Sequence, residues 1–218
     1  MQHLLQAENI SKKVGKKELL RGISLELKGG DVYGFTGENG AGKTMLFRIL
    51  SGLVKPSEGR VLLDGADIHN EGVQKKIGVI IENSLMWPEL TGMENLLFLS
   101  ELNRFISKKE VMLAMERVGL EPDNELPLKH YSLGMKQRLM IAQAIMENPD
   151  FLFLDEPTNA IDQEGVLLAR KIILEEAKRG AVVLLSSHVN QDISALCREV
   201  YQMNSGNCKK LYEGMKHE

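Results

Sequence analysis

The amino-acid sequence predicts an α/β fold with a mostly parallel central sheet, an N-terminal antiparallel β subdomain and an inserted helical subdomain. Over most of the chain, short apolar runs alternate with segments of helical spacing, as in folds built on a parallel sheet. Residues 1–30 instead show short alternating pieces broken by glycines, which indicates antiparallel strands joined by turns. Residues 82–140 have helical character without intervening strands.

The length and composition are those of one soluble globular domain. The chain has 218 residues, of which 43% are hydrophobic and 26% are charged, so a sizeable core can be buried. We predict a single domain over residues 1–218. Within it, residues 1–81 and 141–218 would form the core and residues 82–140 the inserted helical subdomain.

A glycine-rich loop follows the apolar strand predicted at residues 32–35 and opens a helix over residues 43–50. The residues of the loop are Gly37, Glu38, Asn39, Gly40, Ala41, Gly42, Lys43 and Thr44. They fit the P-loop, or Walker A, pattern in full, between the strand and the helix that this motif requires. Glycines let backbone N–H groups converge on phosphate oxygens, and the helix N-terminus adds partial positive charge. Such a pattern arises by chance with a probability on the order of one per cent, so the sequence predicts nucleotide binding and a P-loop NTPase fold.

The helical subdomain is predicted from two capping boxes and an amphipathic face. Residues 91–94 and 107–110 both have the form Ser/Thr-x-x-Glu, which is typical of helix N-termini. After the second box, Val111, Met115 and Val118 share one helix face, and a glycine follows directly.

Two loop residues and two carboxylates define the predicted chemistry. In the loop, Lys43 would reach the β- and γ-phosphates, and the hydroxyl of Thr44 would ligate Mg²⁺. The apolar strand at residues 151–154 ends in Asp155 and Glu156, at the sheet edge where ligands bind in such folds. We predict that Asp155 contacts Mg²⁺ and that Glu156 acts as the base for, or orients, the attacking water.

A histidine completes the predicted catalytic group. His188 follows a buried strand at residues 182–185, so it would lie at the same sheet edge. There its imidazole could donate a hydrogen bond to the γ-phosphate. The alternative is that His188 is a solvated turn residue, which is the usual state of a single loop histidine.

Charge and cysteine content exclude several classes of protein. The net charge of -3 and the lack of a basic stripe with interleaved aromatics argue against a nucleic-acid partner. Neither cysteine is part of a CxxC pair, which argues against a disulfide framework or zinc site and favours a reducing cytosol. No signal peptide is recognised, and no apolar stretch reaches the ~20 residues that span a bilayer. We therefore expect any membrane role to depend on a partner.

Residues 131–138 read Tyr-Ser-Leu-Gly-Met-Lys-Gln-Arg and directly precede an apolar helix. Together with the P-loop, Asp155, Glu156 and His188 in this order, they make the chain resemble the nucleotide-binding domains of ATP-binding cassette (ABC) transporters. Residues 131–138 are similar to the signature motif of that family, usually written LSGGQ and followed by a basic residue. The resemblance covers essentially the whole chain.

The resemblance implies an ATPase that uses ATP and Mg²⁺ and works as a head-to-tail pair. Ser132 and Gly134 would bind the γ-phosphate held by the P-loop of a second ABC ATPase domain, most simply an identical copy. The residue types fit, because a serine-capped helix N-terminus attracts anions, although Ser132 could equally be an N-cap only. The second implied partner is a transmembrane permease, which would hold the chain in the cytoplasm on the inner face of the cell membrane. Residues 86–88, Met-Trp-Pro, are a candidate docking surface, with packing of Trp87 inside the helical lobe as an equal alternative.

The chain also departs from the family pattern. Glu82 stands where the family usually has glutamine, and as a carboxylate it could still accept from water or approach Mg²⁺, so we include it among the catalytic and metal residues. Val14 occupies the position where many members stack an aromatic ring on adenine, which leaves the adenine preference open. Leu133 and Met135 replace the usual glycine and glutamine of the signature. These departures, with Pro-Glu-Leu-Thr-Gly at residues 88–92, look similar to bacterial exporters of the bacitracin-resistance and lantibiotic-immunity group, and imply export of a peptide or drug.

Three alternatives were weighed against a transporter subunit. A soluble ABC-type ATPase acting on nucleic acid or ribosomes usually carries two cassettes or a long coiled-coil insertion, and neither is present here. A non-catalytic ATP-binding regulator would not be expected to retain the full set of Lys43, Asp155, Glu156 and His188. A P-loop GTPase would be expected to carry an NKxD-type guanine motif, which the sequence lacks.

Overall fold

The computed structural model describes residues 2–70, 76–81, 86–103 and 106–213. Its strands are β1 (Leu4–Val14), β2 (Lys17–Lys28), β3 (Val32–Thr36), β4 (Glu58–Leu63), β5 (Ala66–Asp67), β6 (Ile77–Ile80), β7 (Phe151–Asp155), β8 (Val182–Ser186), β9 (Glu199–Asn204) and β10 (Asn207–Glu213). Its α-helices are α1 (Lys43–Leu50), α2 (Gly92–Asn103), α3 (Lys108–Arg117), α4 (Leu133–Ile145), α5 (Gln163–Lys178) and α6 (Asn190–Leu196). The predicted fold class is confirmed, since the strands form one antiparallel sheet and one mostly parallel sheet.

The antiparallel sheet has the strand order β2-β1-β4-β5. Leu5 on β1 pairs with Leu27 on β2 and with Leu63 on β4, and all three side chains are fully buried. Because side chains alternate between the faces of a strand, this row of leucines turns one face of the sheet towards the core. The predicted N-terminal β subdomain therefore extends beyond residue 30 to include β4 and β5.

The larger sheet has the order β10-β9-β3-β8-β7-β6, and all its pairings are parallel except that between β10 and β9. Phe151 and Phe153 of β7 belong to the same buried cluster as α1 and the antiparallel sheet. Leu152 and Leu154 belong to the cluster that includes helices α3, α4 and α5. This alternation explains the unbroken apolar run of β7, because a parallel strand is covered on both faces. Because β3, β8 and β7 are parallel neighbours in this sheet, their carboxyl ends lie side by side at one edge.

The two capping boxes are present. Thr91 accepts from the backbone N–H of Glu94, whose carboxylate accepts from the N–H of Thr91, at 3.2 and 2.8 Å. Ser107 and Glu110 make the same reciprocal pair at the start of α3. Helix α4 runs from residue 133 to residue 145 and so crosses the predicted boundary at residue 140. The division into a core and an inserted subdomain stays a prediction.

Other sequence expectations concern the chain as a whole. Both cysteines are free, and burial raises the pKa of each thiol to about 12, so both are neutral at physiological pH. Within the described ranges, no helix combines the length and apolarity needed to cross a bilayer. The β9–β10 hairpin and α6 were not predicted from the sequence, because their residue patterns are short and mixed.

Candidate nucleotide-binding site

The loop after β3 has the backbone of a phosphate cradle. Gly37, Gly40 and Gly42 have φ angles of 144°, 81° and 110°, which side chains other than that of glycine rarely allow. A Cβ on Gly37 would also lie 2.3 Å from the carbonyl oxygen of Met203, so this position cannot carry a side chain without displacing β9. The loop therefore follows a tight path that ends directly at the N-terminus of α1.

Lys43, the first residue of α1, closes this loop from inside. Its Nζ donates to the carbonyl oxygens of Gly37 and Glu38, at 2.6 and 3.2 Å. The side chain is buried, with a relative exposure of 9%. An ammonium group has three hydrogens, so these two bonds leave a third donor for an anion in the cradle.

Thr44 and Asp155 meet although 111 residues separate them. The hydroxyl of Thr44 donates to one oxygen of the Asp155 carboxylate at 2.6 Å. Ser186 Oγ donates to the other oxygen, because β7 and β8 pair in a register that sets Asp155 beside Ser186. The predicted pair of oxygen ligands for Mg²⁺ is thus brought together at the sheet edge.

Glu156 and His188 also meet. Oε2 of Glu156 lies 2.8 Å from Nδ1 of His188 and accepts from the backbone N–H of His188 at 3.4 Å. The Glu156 side chain is 25% exposed and that of His188 is 64% exposed, so both can reach a bound molecule. The backbone of Glu156 has a φ of 53°, a left-handed conformation that is uncommon for a non-glycine residue.

An open cavity of ≈ 350 Å³ lies over the phosphate loop and the two carboxylates, and His188 is not among the described residues that line it. The phosphate loop, Asp155 and Glu156 line it, and so do Lys17 and Leu19 of β2. None of the described residues that line it is aromatic, and Val14 is exposed at the end of β1 and is not part of the lining. The lining therefore combines the phosphate loop and the two carboxylates with apolar and basic side chains of β2 and α1.

Ser132 and Gly134 lie outside this cavity. Ser132 is the N-cap of α4, and its hydroxyl accepts from the backbone N–H of Met135 at 3.1 Å. Leu133 beside it is 71% exposed, and Gly134 faces Ala160, whose carbonyl oxygen would lie 3.3 Å from an added Cβ. Ser132 is thus exposed and Gly134 half-buried, at the start of a helix whose first N–H groups lack intrahelical acceptors.

Gln137 connects α4 to the loop that follows β7. Its buried amide donates to the carbonyl oxygens of Pro157 and Glu156, at 2.9 and 3.4 Å. Sequence reasoning missed Gln137 and Ser186, because neither belongs to the residue types that signal catalysis and their contacts depend on strand order. A polar residue on the apolar face of α4 is the one local signal that could have identified Gln137.

The remaining candidates have different outcomes. Glu82 lies outside the described residues. Trp87 is 43% exposed and packs edge-on against Phe98, with ring centroids 4.4 Å apart. Met86 and Pro88 line a separate surface cavity of ≈ 340 Å³ next to Leu133. The aromatic pair is thus half packed and half accessible, and its use as a docking surface stays a prediction.

Comparison with known proteins adds three kinds of similarity. A family model described as ABC transporter matches residues 20–159, which is more than half of the chain. The chain is 44% identical to the uncharacterized ABC transporter ATP-binding protein YybJ of Bacillus subtilis (strain 168), over 93% of this chain and 94% of that protein.

Two further relatives have names that state a transported compound. The bacitracin transport ATP-binding protein BcrA of Enterococcus faecalis is 37% identical, over 94% of this chain and 68% of that protein. The lantibiotic transport ATP-binding protein SrtF of Streptococcus pyogenes is 32% identical, over 98% of this chain and 93% of that protein.

Solved structures share the fold. An ATP-binding subunit of an ABC transporter has a TM-score of 0.85 at 24% identity, over 95% of this chain and 90% of that chain. The dimeric structure of MJ0796, a bacterial ABC transporter cassette, has a TM-score of 0.83 at 22% identity, over 95% of this chain and 99% of that chain.

Proposed function

The chain belongs to the ABC transporter family as an ATP-binding and ATP-hydrolysing subunit, and from this premise we propose that it powers a membrane exporter of a peptide antibiotic. The observation that best supports an ATPase site is a pair of side-chain contacts next to the phosphate loop. Thr44 contacts Asp155, and Glu156 contacts His188. The export proposal rests on similarity to the bacitracin and lantibiotic transport proteins.

The part of the cavity that the phosphate loop lines would hold the triphosphate of ATP. Backbone N–H groups of residues 37–44 and the start of α1 supply a nest of donors with partial positive charge. The Lys43 ammonium, already inside the loop, would add a full charge against the β- and γ-phosphates. Because the loop and its lysine are ordered by their own hydrogen bonds, binding requires little rearrangement.

Thr44 and Asp155 are the residues that would hold Mg²⁺. Both offer oxygen, the ligand that this hard cation prefers, and their side chains already lie within 2.6 Å of each other. When bound, Mg²⁺ neutralises charge on the phosphate oxygens. Ser186 would keep Asp155 oriented by its hydrogen bond to the second carboxylate oxygen.

Glu156 would orient and deprotonate the attacking water. The water oxygen forms the new bond to the γ-phosphorus, the bond to the β–γ bridging oxygen breaks, and the proton of the water passes to the Glu156 carboxylate. His188 lies against the same carboxylate and would contact the γ-phosphate. This arrangement assigns the metal contact and the water contact to two adjacent carboxylates that point in different directions.

A second copy of the chain would complete the site from the other side. Ser132 and Gly134 begin α4 at the surface and do not line the cavity of their own chain. An exposed, serine-capped helix N-terminus is a suitable donor surface for the γ-phosphate held by the partner copy. Two copies related head to tail would each contribute a P-loop and a signature segment, which supports closure on ATP and opening after hydrolysis.

Ser132→Arg should abolish ATP-dependent dimerisation while leaving ATP binding by the single chain unchanged. The guanidinium would occupy the space that the γ-phosphate of the partner copy needs. Dimer formation can be measured by analytical ultracentrifugation with ATP, in a Glu156→Gln background that prevents turnover. The matched control is Ser107→Arg, which removes the exposed N-cap of α3 and should cost a similar ~1 kcal/mol of helix stability. A Ser132→Arg protein that dimerises like this control would contradict the head-to-tail site.

The membrane partner would be a permease with several transmembrane helices, and the chain would be peripheral on the cytoplasmic face. Sequencing of the neighbouring reading frames, followed by co-expression of the chain with any multi-span membrane protein encoded there, tests this directly. We expect the two to co-purify in detergent and to raise resistance to bacitracin or a lantibiotic, and a Glu156→Gln chain to co-purify without giving resistance. Co-purification with ribosomes or nucleic acid instead would favour the soluble alternative.

A further inference from the structure

A buried carboxylate lies next to the proposed catalytic residues without taking part in the mechanism above. Asp192, in the first turn of α6, is only 1% exposed. Arg170 on α5 donates to its Oδ1 twice, from Nε at 2.8 Å and from Nη2 at 2.6 Å. This pairing accounts for the burial of the charge, because an unpaired carboxylate in such a place would be neutralised or expelled.

The other carboxylate oxygen of Asp192 connects two loops. Oδ2 accepts from Thr158 Oγ1 at 2.5 Å and from Ser187 Oγ at 3.4 Å. Thr158 is two residues after Glu156, and Ser187 directly precedes His188. A single side chain therefore ties the loop after β7 to the loop after β8.

The backbone of Glu156 needs such restraint. Its left-handed φ of 53° is strained, and strained residues persist only where the surroundings over-determine them. The amide of Gln137 holds the adjacent carbonyl of Pro157 from the α4 side. The bond from Thr158 to Asp192 holds the same loop from the α6 side.

We propose that Asp192 is a positioning residue for ATP hydrolysis, whose carboxylate fixes Glu156 relative to His188 through Thr158 and Ser187. Arg170 supplies the two hydrogen bonds and the opposite charge that hold this carboxylate in place. The inference rests on the proposed role of Glu156 in hydrolysis. Displacement of a catalytic group by ~1 Å is enough to lower a rate about 100-fold, so loss of the bridge should affect the chemical step.

Asp192→Asn and Thr158→Val test the proposal from the two ends of one hydrogen bond. We expect each to lower kcat about 10- to 100-fold, because Glu156 is no longer held beside the water and the γ-phosphate. KM for ATP should stay within about twofold, since none of the hydrogen bonds described for Asp192 involves residues 37–44. Thr158→Ser, which keeps the hydroxyl, should retain most of the activity. The kcat of the double variant should be no lower than that of the slower single variant, because both substitutions remove the same contact.

The matched control is Glu176→Gln. Glu176 is an equally buried acid on α5, but it pairs with Arg117 and Arg179, at 2.8 Å in each case. We expect it to lower Tm as Asp192→Asn does while leaving kcat within about twofold of the unaltered protein. If Glu176→Gln lost as much kcat as Asp192→Asn, the loss in Asp192→Asn would be explained by general destabilisation of the fold. That result would overturn the proposal.

A second readout does not require hydrolysis. NMR of the histidine rings in the nucleotide-free protein reports the contact between His188 and Glu156, and a His188→Gln sample assigns the signal. The His188 resonance should shift in Asp192→Asn and Thr158→Val and stay in place in Glu176→Gln. Unchanged kcat in both variants, or an unchanged His188 signal, would overturn the positioning role. If the unaltered protein hydrolyses no ATP, the proposed function fails and the catalytic part of the inference fails with it, whereas the His188 signal still shows whether Asp192 holds Glu156 beside His188.

Discussion

Glu156→Gln should bind ATP with nearly unaltered affinity and hydrolyse it about 100- to 10,000-fold more slowly, the range by which positioned acid–base groups accelerate reactions. Glutamine has the same shape as glutamate, so the packing of the loop after β7 is preserved. It cannot accept the proton of the attacking water, however. Because turnover no longer opens the closed state, the variant should also accumulate an ATP-bound dimer. Phosphate release and sedimentation in the presence of ATP measure the two effects.

The control for this variant is Glu164→Gln, which removes the same charge from an exposed position in the first turn of α5. It should hydrolyse ATP at the rate of the unaltered protein. A Glu156→Gln protein with ordinary turnover would show that another group activates the water. In that event the contact between Glu156 and His188 would have a structural role only.

Lys43→Ala should abolish ATP turnover and weaken ATP binding severely. The variant loses the ammonium that faces the phosphates and also the two hydrogen bonds that close the loop onto Gly37 and Glu38. A charge pair at about 4 Å contributes ~4 kcal/mol at an effective dielectric constant near 20, which corresponds to about 1,000-fold in affinity. Fluorescence titration with a labelled ATP analogue and a phosphate-release assay measure the two losses.

Lys17→Ala is the matched control, because Lys17 lines the same cavity and carries the same charge but is exposed on β2. Solvent screens such a group, so its removal should change ATP affinity by no more than ~1 kcal/mol, or about fivefold. If both lysine variants behaved alike, binding would depend on the overall charge of the cavity, and the assignment of residues 37–44 as the phosphate cradle would be wrong.

The phosphate loop could be predicted from the sequence because its chemistry is local. Gly37, Gly40 and Gly42 are required by backbone angles, and Lys43 follows at the start of a helix within the same eight residues. The capping boxes at residues 91–94 and 107–110 were predictable for the same reason. In each case the interacting groups lie within a single segment of four to eight residues.

Contacts between residues that are distant in the sequence could not be predicted from local patterns. Thr44 approaches Asp155 because the strands that precede them lie in the order β3-β8-β7. The spacing of the motifs does not predict this strand order by itself, and only the family resemblance implied it. The bridge from Asp192 to Thr158 and Ser187 left no sequence signal, since an aspartate in a short polar helix resembles an ordinary surface residue. Local patterns left packing of Trp87 inside the helical lobe as one of two alternatives and did not identify Phe98 as its partner.

The sequence by itself determined the fold class, the phosphate loop and the identity of the carboxylates, because hydrophobic period, glycine geometry and residue type are local properties. Only the tertiary structure decided which of these groups touch. Parallel strand pairing set Asp155 beside Ser186 and Glu156 beside His188, while it left Ser132 and Gly134 at the surface. The physical reason is that contacts across a parallel sheet depend on strand order and register, which arise from burial of the whole core and not from any single segment.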